Sequence, residues 1–196
     1  MATVKTKAKT SSKTGSKSNS EPNLKPKAEA ASSRPGLRIG FGWDSHAFRA
    51  GIPLLIGGVA ITYNKGLGGH SDGDVLLHAI TDALLGGIAG PDIGTLFPPT
   101  DQQWKGADSA LFLKEALRRV TAAGYAVVNL DSTLILNAPK IGPHAGAIRA
   151  QVAKLVGIPE SCIGLKAKTP EGLNTDNAAV AHVVVLLRRT AKSSSA

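Results

Sequence analysis

The sequence predicts a single α+β domain in which a mixed β-sheet carries helices packed on one face. Its 196 residues suit one domain, and a core of that size folds without disulfides or other staples. From Leu37 onward, runs typical of strands are interleaved with runs whose apolar residues form a helical face, so strands and helices share one unit. Glycine is frequent, at 22 residues, and aromatic residues make up only 4% of the chain. This composition favours tight turns and an aliphatic core.

The predicted elements follow one another in a clear order. Leu37–Asp44 is a strand, and Pro53–Ile61 is a bulged or bent strand because Gly57-Gly58 interrupts it. Asp72–Gly86 is a helix whose apolar residues lie on one face, and Ser71 or Asp72 caps it. The remaining elements are a loop over residues 88–107, a helix over Ser109–Ala123, a strand over Ala126–Leu136, a helix over Pro143–Gly157, and strands over Ile163–Lys168 and Ala178–Arg188.

Residues 1–36 differ from the rest of the chain in composition and charge. They hold eight Lys and Arg and two Glu, which gives +6 of the total charge of +9. With almost no large apolar side chain they cannot offset the entropy of ordering, so we expect a disordered basic tail before a domain over residues 37–196. The tail is a solvated segment, an organelle transit peptide or a cationic arm for anionic partners. We expect a cytoplasmic protein if the source is bacterial, and a plastid protein if the tail is a transit peptide.

Composition also excludes several classes of protein. The single cysteine, Cys162, rules out an intrachain disulfide and a cysteine-rich zinc site. No apolar run has the length of a membrane span, and the start of the chain lacks the apolar stretch of a signal peptide. The chain after residue 36 has a charge of only +3 and no basic stripe interleaved with aromatic residues. Nucleic-acid binding by the domain is therefore disfavoured.

Two histidines and an aspartate form a pattern that suits a metal ion. In an extended segment, Asp44 and His46 point to the same side and can meet one ion. On the predicted helix, His78 lies four residues from both Asp74 and Asp82, so either carboxylate can orient its ring. Two histidines, one carboxylate and an open position form a catalytic zinc site. On spacing alone, partly buried histidines without a metal remain the alternative.

Three loops carry groups that suit a phosphorylated ligand. Gly66–Asp74 is a glycine-rich run into a helix N-terminus, where backbone N–H groups bind phosphate; an ordinary capped turn is the alternative. Asn137–Pro143 offers backbone groups that can read a base edge, or it simply connects a strand to a helix. Lys166–Glu171 offers cations, a hydroxyl and a carboxylate for phosphate and a divalent ion, or it is a charged edge strand.

Several motifs occur in an order that is specific as a set, above all the stretch from His70 to His78 with an Asp-x-His pair upstream. The motifs are Asp44-Ser45-His46-Ala47-Phe48, His70-Ser71-Asp72-Gly73-Asp74-Val75-Leu76-Leu77-His78, Asp92-Ile93-Gly94 with Phe97-Pro98, Lys105-Gly106-Ala107-Asp108-Ser109, and Ala138-Pro139-Lys140. With these motifs, the chain resembles the 2-C-methyl-D-erythritol 2,4-cyclodiphosphate synthase family of the non-mevalonate isoprenoid pathway, over about residues 37–190.

The resemblance implies an activity, an assembly and cofactors. Such an enzyme converts 4-diphosphocytidyl-2-C-methyl-D-erythritol 2-phosphate to the cyclic diphosphate and CMP. The substrate's own 2-phosphate attacks the β-phosphorus, so catalysis relies on positioning and charge stabilisation. The expected cofactors are Zn²⁺ and a second divalent ion, Mg²⁺ or Mn²⁺. Family members are homotrimers with active sites between subunits, and neither nucleic acid nor a membrane is an expected partner.

Residue roles follow from the same resemblance. Asp44, His46 and His78 match the zinc ligands, and Glu171 matches a residue that helps to hold the second ion. His70 and Thr169 match the groups that stabilise the transition state. The implied substrate-binding residues, among which Leu136–Gly142 form the cytidine-binding loop, are Asp44, Ser45, His46, His70, Ser71, Asp92, Ile93, Gly94, Phe97, Asp101, Leu136, Asn137, Ala138, Pro139, Lys140, Ile141, Gly142, Lys168, Thr169, Pro170 and Glu171.

The chain departs from many bacterial members near its C-terminal end. Where they carry Thr-Thr-Thr-Glu, this chain has Lys168-Thr169-Pro170-Glu171, and its Asn174–Asn177 segment is shorter than theirs and lacks a Phe and an Arg. Two rival hypotheses use other chemistry. A zinc-dependent hydrolase of phosphate esters or anhydrides would use the same three metal ligands and release linear products, and a nucleic-acid-binding protein would rely on the basic tail.

Overall fold

The structure is a computed structural model that describes residues 35–173 and 175–191. The predicted basic tail lies almost wholly outside the described residues, as do Asn174 of the shortened segment and residues 192–196. The described part contains the predicted strands and helices and all the predicted site residues. Within it, no helix is both long and apolar enough to cross a lipid bilayer.

A mixed β-sheet organises the described residues. The strands are β1 (Leu37–Ala50), β2 (Leu54–Ile56), β3 (Val59–Ile61), β4 (Lys65–Leu67), β5 (Tyr125–Ile135), β6 (Ile163–Lys168) and β7 (Ala178–Arg189). Five of them form one sheet in the order β4-β1-β7-β5-β6, and β2 and β3 form a separate hairpin. Strands β5 and β6 are parallel, whereas the other neighbours are antiparallel. The predicted mixed sheet is therefore confirmed.

Four helices complete the α+β domain. They are α1 (Val75–Gly87), α2 (Ile93–Leu96), α3 (Ser109–Ala122) and α4 (Ala145–Val156), with 3-10 turns at Gln102–Trp104, Gly142–His144 and Glu160–Cys162. Helix α1 packs on β1 and β7, α3 packs on α1 and β5, and α4 packs on α3 and β6. Their apolar residues share one core with the inward-facing side chains of the sheet.

Two glycines allow α1 to lie directly against β1. A Cβ atom on Gly40 would stand 1.8 Å from the carbonyl oxygen of Ala83, and one on Gly42 would stand 1.9 Å from that of Ala79. Because both neighbours are backbone atoms of a packed helix, a side chain at either glycine would push the helix off the strand. The close approach brings His78, the residue before Ala79, within reach of β1.

The opposite face of β1 is uncovered in the described chain. Leu37, Ile39, Phe41 and Trp43 alternate along the strand with residues that face the helices, and each of the four is at least half exposed. Val184 extends the same face on the neighbouring strand β7. The chain therefore presents a contiguous apolar surface on one side of its sheet.

Two predicted strands differ from the observed ones. The first continues beyond Asp44 to Ala50, because its last residues pair with Lys65–Leu67 of β4. The segment Pro53–Ile61 was predicted as one bent strand, and this is wrong: it forms the β2–β3 hairpin. Gly57 and Gly58 have φ of 63° and 76°, and two consecutive residues with positive φ make a hairpin turn rather than a bulge.

The first long helix begins later than predicted. It starts at Val75, and its cap is Asp74, whose carboxylate accepts hydrogen bonds from the N–H groups of Leu76 and Leu77. The predicted cap at Ser71 or Asp72 is therefore wrong, because both side chains are turned towards other partners. The predicted loop over residues 88–107 contains the short helix α2 and a 3-10 turn.

Candidate metal centre and substrate cavities

Asp44, His46 and His78 meet where α1 crosses β1. The Asp44 carboxylate oxygen Oδ2 lies 2.8 Å from His46 Nε2 and 3.0 Å from His78 Nδ1. The two histidine nitrogens are themselves 3.0 Å apart. Strand geometry brings Asp44 and His46 to one side of β1. The close approach of α1 at Gly40 and Gly42 brings the third donor, His78, to the same side.

The three donors fit a metal ion. The three ligand atoms lie 2.8 to 3.0 Å from one another. Donors around tetrahedral zinc are about 3.3 Å apart, so a small outward shift would admit the ion. The Nδ1 atom of His46 lies 2.7 Å from the carbonyl oxygen of Gly68, which can only accept a hydrogen bond. That nitrogen therefore carries a proton, and Nε2 is the nitrogen that faces the other two donors.

The electrostatics of the cluster keep Asp44 ionised. Burial by itself would raise the pKa of Asp44, but hydrogen bonds and positive charge from His46 and His78 hold the pKa well below its usual range. Burial likewise lowers the pKa of His46, yet the hydrogen bond to the Asp44 carboxylate, the negative charge of Asp44 and the hydrogen bond to the Gly68 carbonyl together outweigh burial and raise that pKa. The cluster thus offers an anionic carboxylate at neutral pH, and a cation that replaces the histidine proton is stabilised there.

Asp74 and Asp82 have partners other than the ring of His78. The Asp74 carboxylate is fully buried, which raises its pKa, and it accepts N–H groups of the β2–β3 turn besides capping α1. Asp82 accepts the N–H of Ile93, at 2.7 Å. The predicted role of either acid as the hydrogen-bond partner of the ring is corrected: Nε2 of His78 lies 2.9 Å from the Ser71 hydroxyl and 2.8 Å from the Ser109 hydroxyl.

An apolar cavity of about 260 Å³ opens beside the cluster. Sequence reasoning named seven of its lining residues and missed three, Pro99, Trp104 and Phe112. The rings of Phe97 and Phe112 lie 4.5 Å apart, and Phe97 and Trp104 lie 5.1 Å apart. In a chain with only two Trp and four Phe, aromatic residues in a proline-rich loop were the available clue. The lining residues are His46, His70, Ser71, His78, Ile93, Gly94, Phe97, Pro99, Trp104 and Phe112.

Besides Asp44 of the cluster, the predicted contact residues Ser45, Asp92 and Asp101 do not line this cavity. Asp92 caps α2 by accepting the N–H of Thr95, at 2.7 Å, and hydrogen bonds from the Thr95 side chain and from this N–H lower its pKa. Asp101 caps the turn at Gln102–Trp104, while its backbone oxygen lies 3.3 Å from His70 Nε2. Ser45 points to the exposed side of β1. Asp92 and Asp101 thus shape the loops around the cavity.

A second cavity, of about 640 Å³, lies between the 136–142 loop and the end of β6. Five residues of the predicted cytidine loop line it, and Lys168, Thr169 and Glu171 close its other side. The Thr169 hydroxyl donates a hydrogen bond to the Glu171 carboxylate. The lining residues are Leu136, Pro139, Lys140, Ile141, Gly142, Pro143, Ala145, Leu165, Ala167, Lys168, Thr169 and Glu171.

The other predicted residues of this region serve the loop itself. The side-chain amide of Asn137 donates to Asp176 Oδ1, at 2.5 Å, which ties the cytidine loop to the shortened segment. The bond between Ala138 and Pro139 is cis, and Pro170 is buried. Among the described residues, the two cavities have no lining residue in common, so one chain presents the metal cluster and the predicted cytidine loop on separate surfaces.

A mixed α+β domain with a His-His-Asp cluster open to a cavity defines the class: an enzyme domain able to bind a metal ion. Residues 37–188 match the YgbB family, and the chain belongs to this family. A 2-C-methyl-D-erythritol 2,4-cyclodiphosphate synthase of Koribacter versatilis (strain Ellin345) is 63% identical over 153 residues, which cover 78% of this chain and 99% of that protein. The chloroplastic enzyme of Arabidopsis thaliana, with the same name, is 50% identical over 155 residues, or 78% of this chain and 67% of that one.

Solved structures agree with the sequence comparison. A 2C-methyl-D-erythritol-2,4-cyclodiphosphate synthase in a CDP-bound form is 45% identical, with a TM-score of 0.73 over 76% of this chain and 99% of that chain. A CDP complex of the Plasmodium falciparum IspF is 34% identical, with a TM-score of 0.71 over 81% of this chain and 100% of that chain. The resemblance drawn from the sequence motifs is confirmed.

Proposed function

We propose that this chain converts 4-diphosphocytidyl-2-C-methyl-D-erythritol 2-phosphate to 2-C-methyl-D-erythritol 2,4-cyclodiphosphate and CMP, in the non-mevalonate isoprenoid pathway. The observation that carries the proposal is the convergence of Asp44, His46 and His78 beside a cavity, in a chain that shares 63% of its aligned residues with a synthase of that name. The enzyme is a lyase of the phosphorus–oxygen type.

Asp44, His46 and His78 hold Zn²⁺ in this proposal. A bound zinc ion supplies a Lewis acid and a template for the phosphate oxygens. Two neutral imidazoles and one carboxylate leave a net positive charge at the site, which suits a diphosphate. Glu171, exposed beside Thr169 and Lys168, helps to hold the second ion, Mg²⁺ or Mn²⁺, since a carboxylate oxygen suits a hard cation.

The two cavities divide the recognition of the substrate. The apolar cavity with Ile93, Gly94 and Phe97 takes the methylerythritol part, and His70 and Ser71 donate hydrogen bonds to its phosphates. The larger cavity takes the cytidine: backbone groups of Leu136–Gly142 read the base. Lys140 and Lys168 supply positive charge for the phosphates there. The CDP-bound relatives support a cytidine nucleotide as the ligand.

The reaction needs no nucleophile from the protein. An oxygen of the substrate's 2-phosphate forms a bond to the β-phosphorus, and the bond from that phosphorus to the bridging oxygen breaks, with the electron pair leaving on CMP. Because attacking and attacked groups belong to one molecule, holding them in line is the main catalytic task. His70 and Thr169 are placed in this proposal to donate hydrogen bonds to the oxygens where charge builds up.

A homotrimer with active sites between subunits completes the proposal. The exposed apolar side chains of β1 and Val184 form a surface that a second copy of the chain can cover. Assembly also explains why the metal cluster and the cytidine loop line separate cavities within one chain: each reaction site then takes one cavity from each of two neighbours.

We further propose that the basic tail over residues 1–36 has no part in the reaction, because the site residues all belong to residues 37–196. In a bacterial source the enzyme acts in the cytoplasm, and in a plant-type source the tail directs it to a plastid. Equal kcat/KM for the full chain and for residues 37–196 is the expected outcome, and a loss in the shorter chain would contradict this part of the proposal.

The test of the function follows the phosphorus atoms. The purified protein is incubated with the cytidyl substrate, Zn²⁺ and Mg²⁺, and the products are identified by phosphorus NMR. We expect a cyclic diphosphate and CMP, with a loss of about a thousandfold in kcat for His78→Ala. Glu115→Gln is the matched control, since Glu115 pairs with Arg118 on the exposed side of α3.

Two outcomes would contradict the proposal. Linear phosphate products would favour the zinc-dependent hydrolase, in which water replaces the 2-phosphate as the attacking group. Full activity in His78→Ala, together with unchanged zinc content, would remove the metal cluster from the mechanism.

A further inference from the structure

A buried polar chain runs from His78 away from the metal cluster. The Ser109 side chain, at the first residue of α3, is fully buried, and its hydroxyl oxygen lies 2.8 Å from Nε2 of His78. The same hydroxyl is hydrogen-bonded to the carboxylate of Asp72. Three side chains from different segments thus form the row carboxylate, hydroxyl, imidazole, with the metal-facing Nδ1 of His78 at its end.

The chemistry of the row fixes the direction of its hydrogen bonds. The Asp72 carboxylate can only accept, so the single hydroxyl hydrogen of Ser109 points at Asp72. The oxygen of Ser109 must then accept from His78, which places the imidazole proton on Nε2. With a proton held on Nε2, the nitrogen left to bind a metal ion is Nδ1, the atom that lies 3.0 Å from the Asp44 carboxylate.

We propose that Asp72 and Ser109 are positioning residues that hold His78 in the tautomer and orientation required for metal binding. The inference rests on the proposed metal site, and adds to it two residues that touch neither metal nor substrate. Indirect support of this kind, through a carboxylate behind a ligating histidine, raises metal affinity in other sites. Here a serine hydroxyl relays the effect of the carboxylate to the ring.

Asp72 is itself held firmly, as a positioning group must be. Its second oxygen accepts the backbone N–H of Ser109, at 3.1 Å, and its first accepts the N–H of Asp74, at 3.2 Å. The N-cap of α3 is a different residue, Asp108, whose carboxylate accepts from the N–H of Ala110. The Ser109 hydroxyl therefore joins Asp72 to the histidine, while Asp108 caps the helix.

Ser71 also lies beside Nε2 of His78, but on the side of the substrate cavity. Its hydroxyl oxygen lies 2.9 Å from Nε2 of His78, so it can share the imidazole proton, but it also lines the substrate cavity. Because Ser109 is fully buried and paired with a carboxylate, its hydroxyl hydrogen is committed, and its acceptor role does not change when a ligand enters the cavity.

The test compares Asp72→Asn with Asp108→Asn. An asparagine at position 72 can donate its N–H to Ser109, which turns the serine hydrogen towards His78 and forces the imidazole proton onto Nδ1. We expect zinc affinity, measured in the full chain by competition with a chromophoric chelator, to fall about 10- to 100-fold. Asp108→Asn keeps a good N-cap at the same helix end and should bind zinc as the unmodified protein does.

A second measurement reads the protonation of His78 directly. In the metal-free protein, long-range nitrogen–proton correlation NMR reports which imidazole nitrogen carries the proton. His78 is assigned as the set of signals missing from a His78→Gln sample. We expect a proton on Nε2 in the unmodified protein and its loss from Nε2 in Asp72→Asn, whereas a merely structural role of Asp72 would leave Nε2 protonated in both.

The outcomes separate this inference from the proposed metal site. If the unmodified protein binds no zinc, the metal site itself fails. If it binds zinc and Asp72→Asn binds equally tightly, or if the metal-free protein carries no proton on Nε2 of His78, the relay is overturned while the metal site stands. Should Asp72→Asn fail to fold, the tautomer of the unmodified protein still decides.

Discussion

The two faces of strand β1 have opposite characters. Towards the helices it presents Gly40 and Gly42, against which α1 lies, and then Asp44 and His46 of the metal cluster. Away from the helices it presents four large apolar side chains, each at least half exposed, over Leu37–Trp43. One strand thus carries both a close backbone contact with a helix and a contiguous exposed apolar surface.

The contrast between the two faces of β1 indicates which parts of the proposed site are complete in a single chain. The inner face has its donors, its supporting hydrogen bonds and its cavity in place. The outer face leaves apolar area in water, and the second cavity, with Thr169 and Glu171, shares no described residue with the first. We therefore expect inner-face changes to remove metal binding, and outer-face changes to remove activity while metal binding survives.

The largest effect is expected from Gly42→Ala. Its Cβ atom would stand 1.9 Å from the carbonyl oxygen of Ala79, so α1 must move off β1 and His78 must leave the cluster. We expect a loss of about 3 kcal/mol in the free energy of unfolding, measured by urea titration, together with the loss of zinc binding.

Gly86→Ala is the matched control for that variant. Gly86 lies on the same helix, and the nearest atom to its added Cβ is 3.6 Å away, the carbonyl oxygen of Phe41. With room for a methyl group and a better helix former in place, stability should be equal or higher. Zinc binding retained by Gly42→Ala would show that the close approach does not position His78.

The next largest effect is expected from Phe41→Asp on the outer face. A charge there opposes burial against a second chain, so the assembly seen by light scattering should shift to the monomer. Activity should fall about a hundredfold because the halves of the site separate, while zinc affinity stays unchanged. Leu111→Asp on α3 places the same charge at another exposed apolar residue and should keep the proposed trimer. If the unmodified protein is a monomer, the outer face of β1 is not an interface between copies of the chain.

The smallest effect is expected from Glu171→Gln, which loses one ligand of the second divalent ion. Substrate phosphates still supply ligands to that ion, so kcat should fall about tenfold at limiting Mg²⁺ and recover partly as Mg²⁺ is raised. Zinc content, measured by atomic absorption, should not change. A Mg²⁺ dependence identical to that of the unmodified protein would separate Glu171 from the second ion.

Mixing two variants tests whether each site combines cavities from two neighbouring chains. His78→Ala damages one cavity and Glu171→Gln with Lys140→Ala damages the other. If each site combines one cavity from each neighbour, mixed trimers unfolded and refolded together contain about a quarter of their sites with both halves intact. Activity should therefore rise above that of either variant alone. Mixtures no more active than the separate variants would indicate a site within one chain.

Sequence reasoning located the metal cluster because its residues lie in local patterns. Asp44 and His46 share one side of a strand, and the spacing from His70 to His78 is distinctive within a short segment. It assigned the wrong partner to the ring of His78, because helix spacing makes Asp74 and Asp82 equally suitable. Ser109 lies 31 residues further along the chain, and no local pattern connects the two.

The hairpin at Gly57 and Gly58 is a second feature that local sequence patterns could not decide. Two glycines in an apolar run suit a bulge as well as a turn, and the choice depends on pairing between β2 and β3. The aromatic residues Trp104 and Phe112 were missed for a similar reason. They come from a loop and a helix, and only the packing of α3 against α1 brings them to the same cavity.

The sequence by itself determined the class of fold, the three residues of the candidate metal cluster and the family, since each depends on residue type at short spacing or on motifs in order. The tertiary structure alone decided how α1 meets β1, which hydroxyls lie beside His78, and that the candidate metal cluster and the predicted cytidine loop line separate cavities. Such features depend on distances between segments far apart in the chain, and these distances are set by packing of the whole core rather than by local preference.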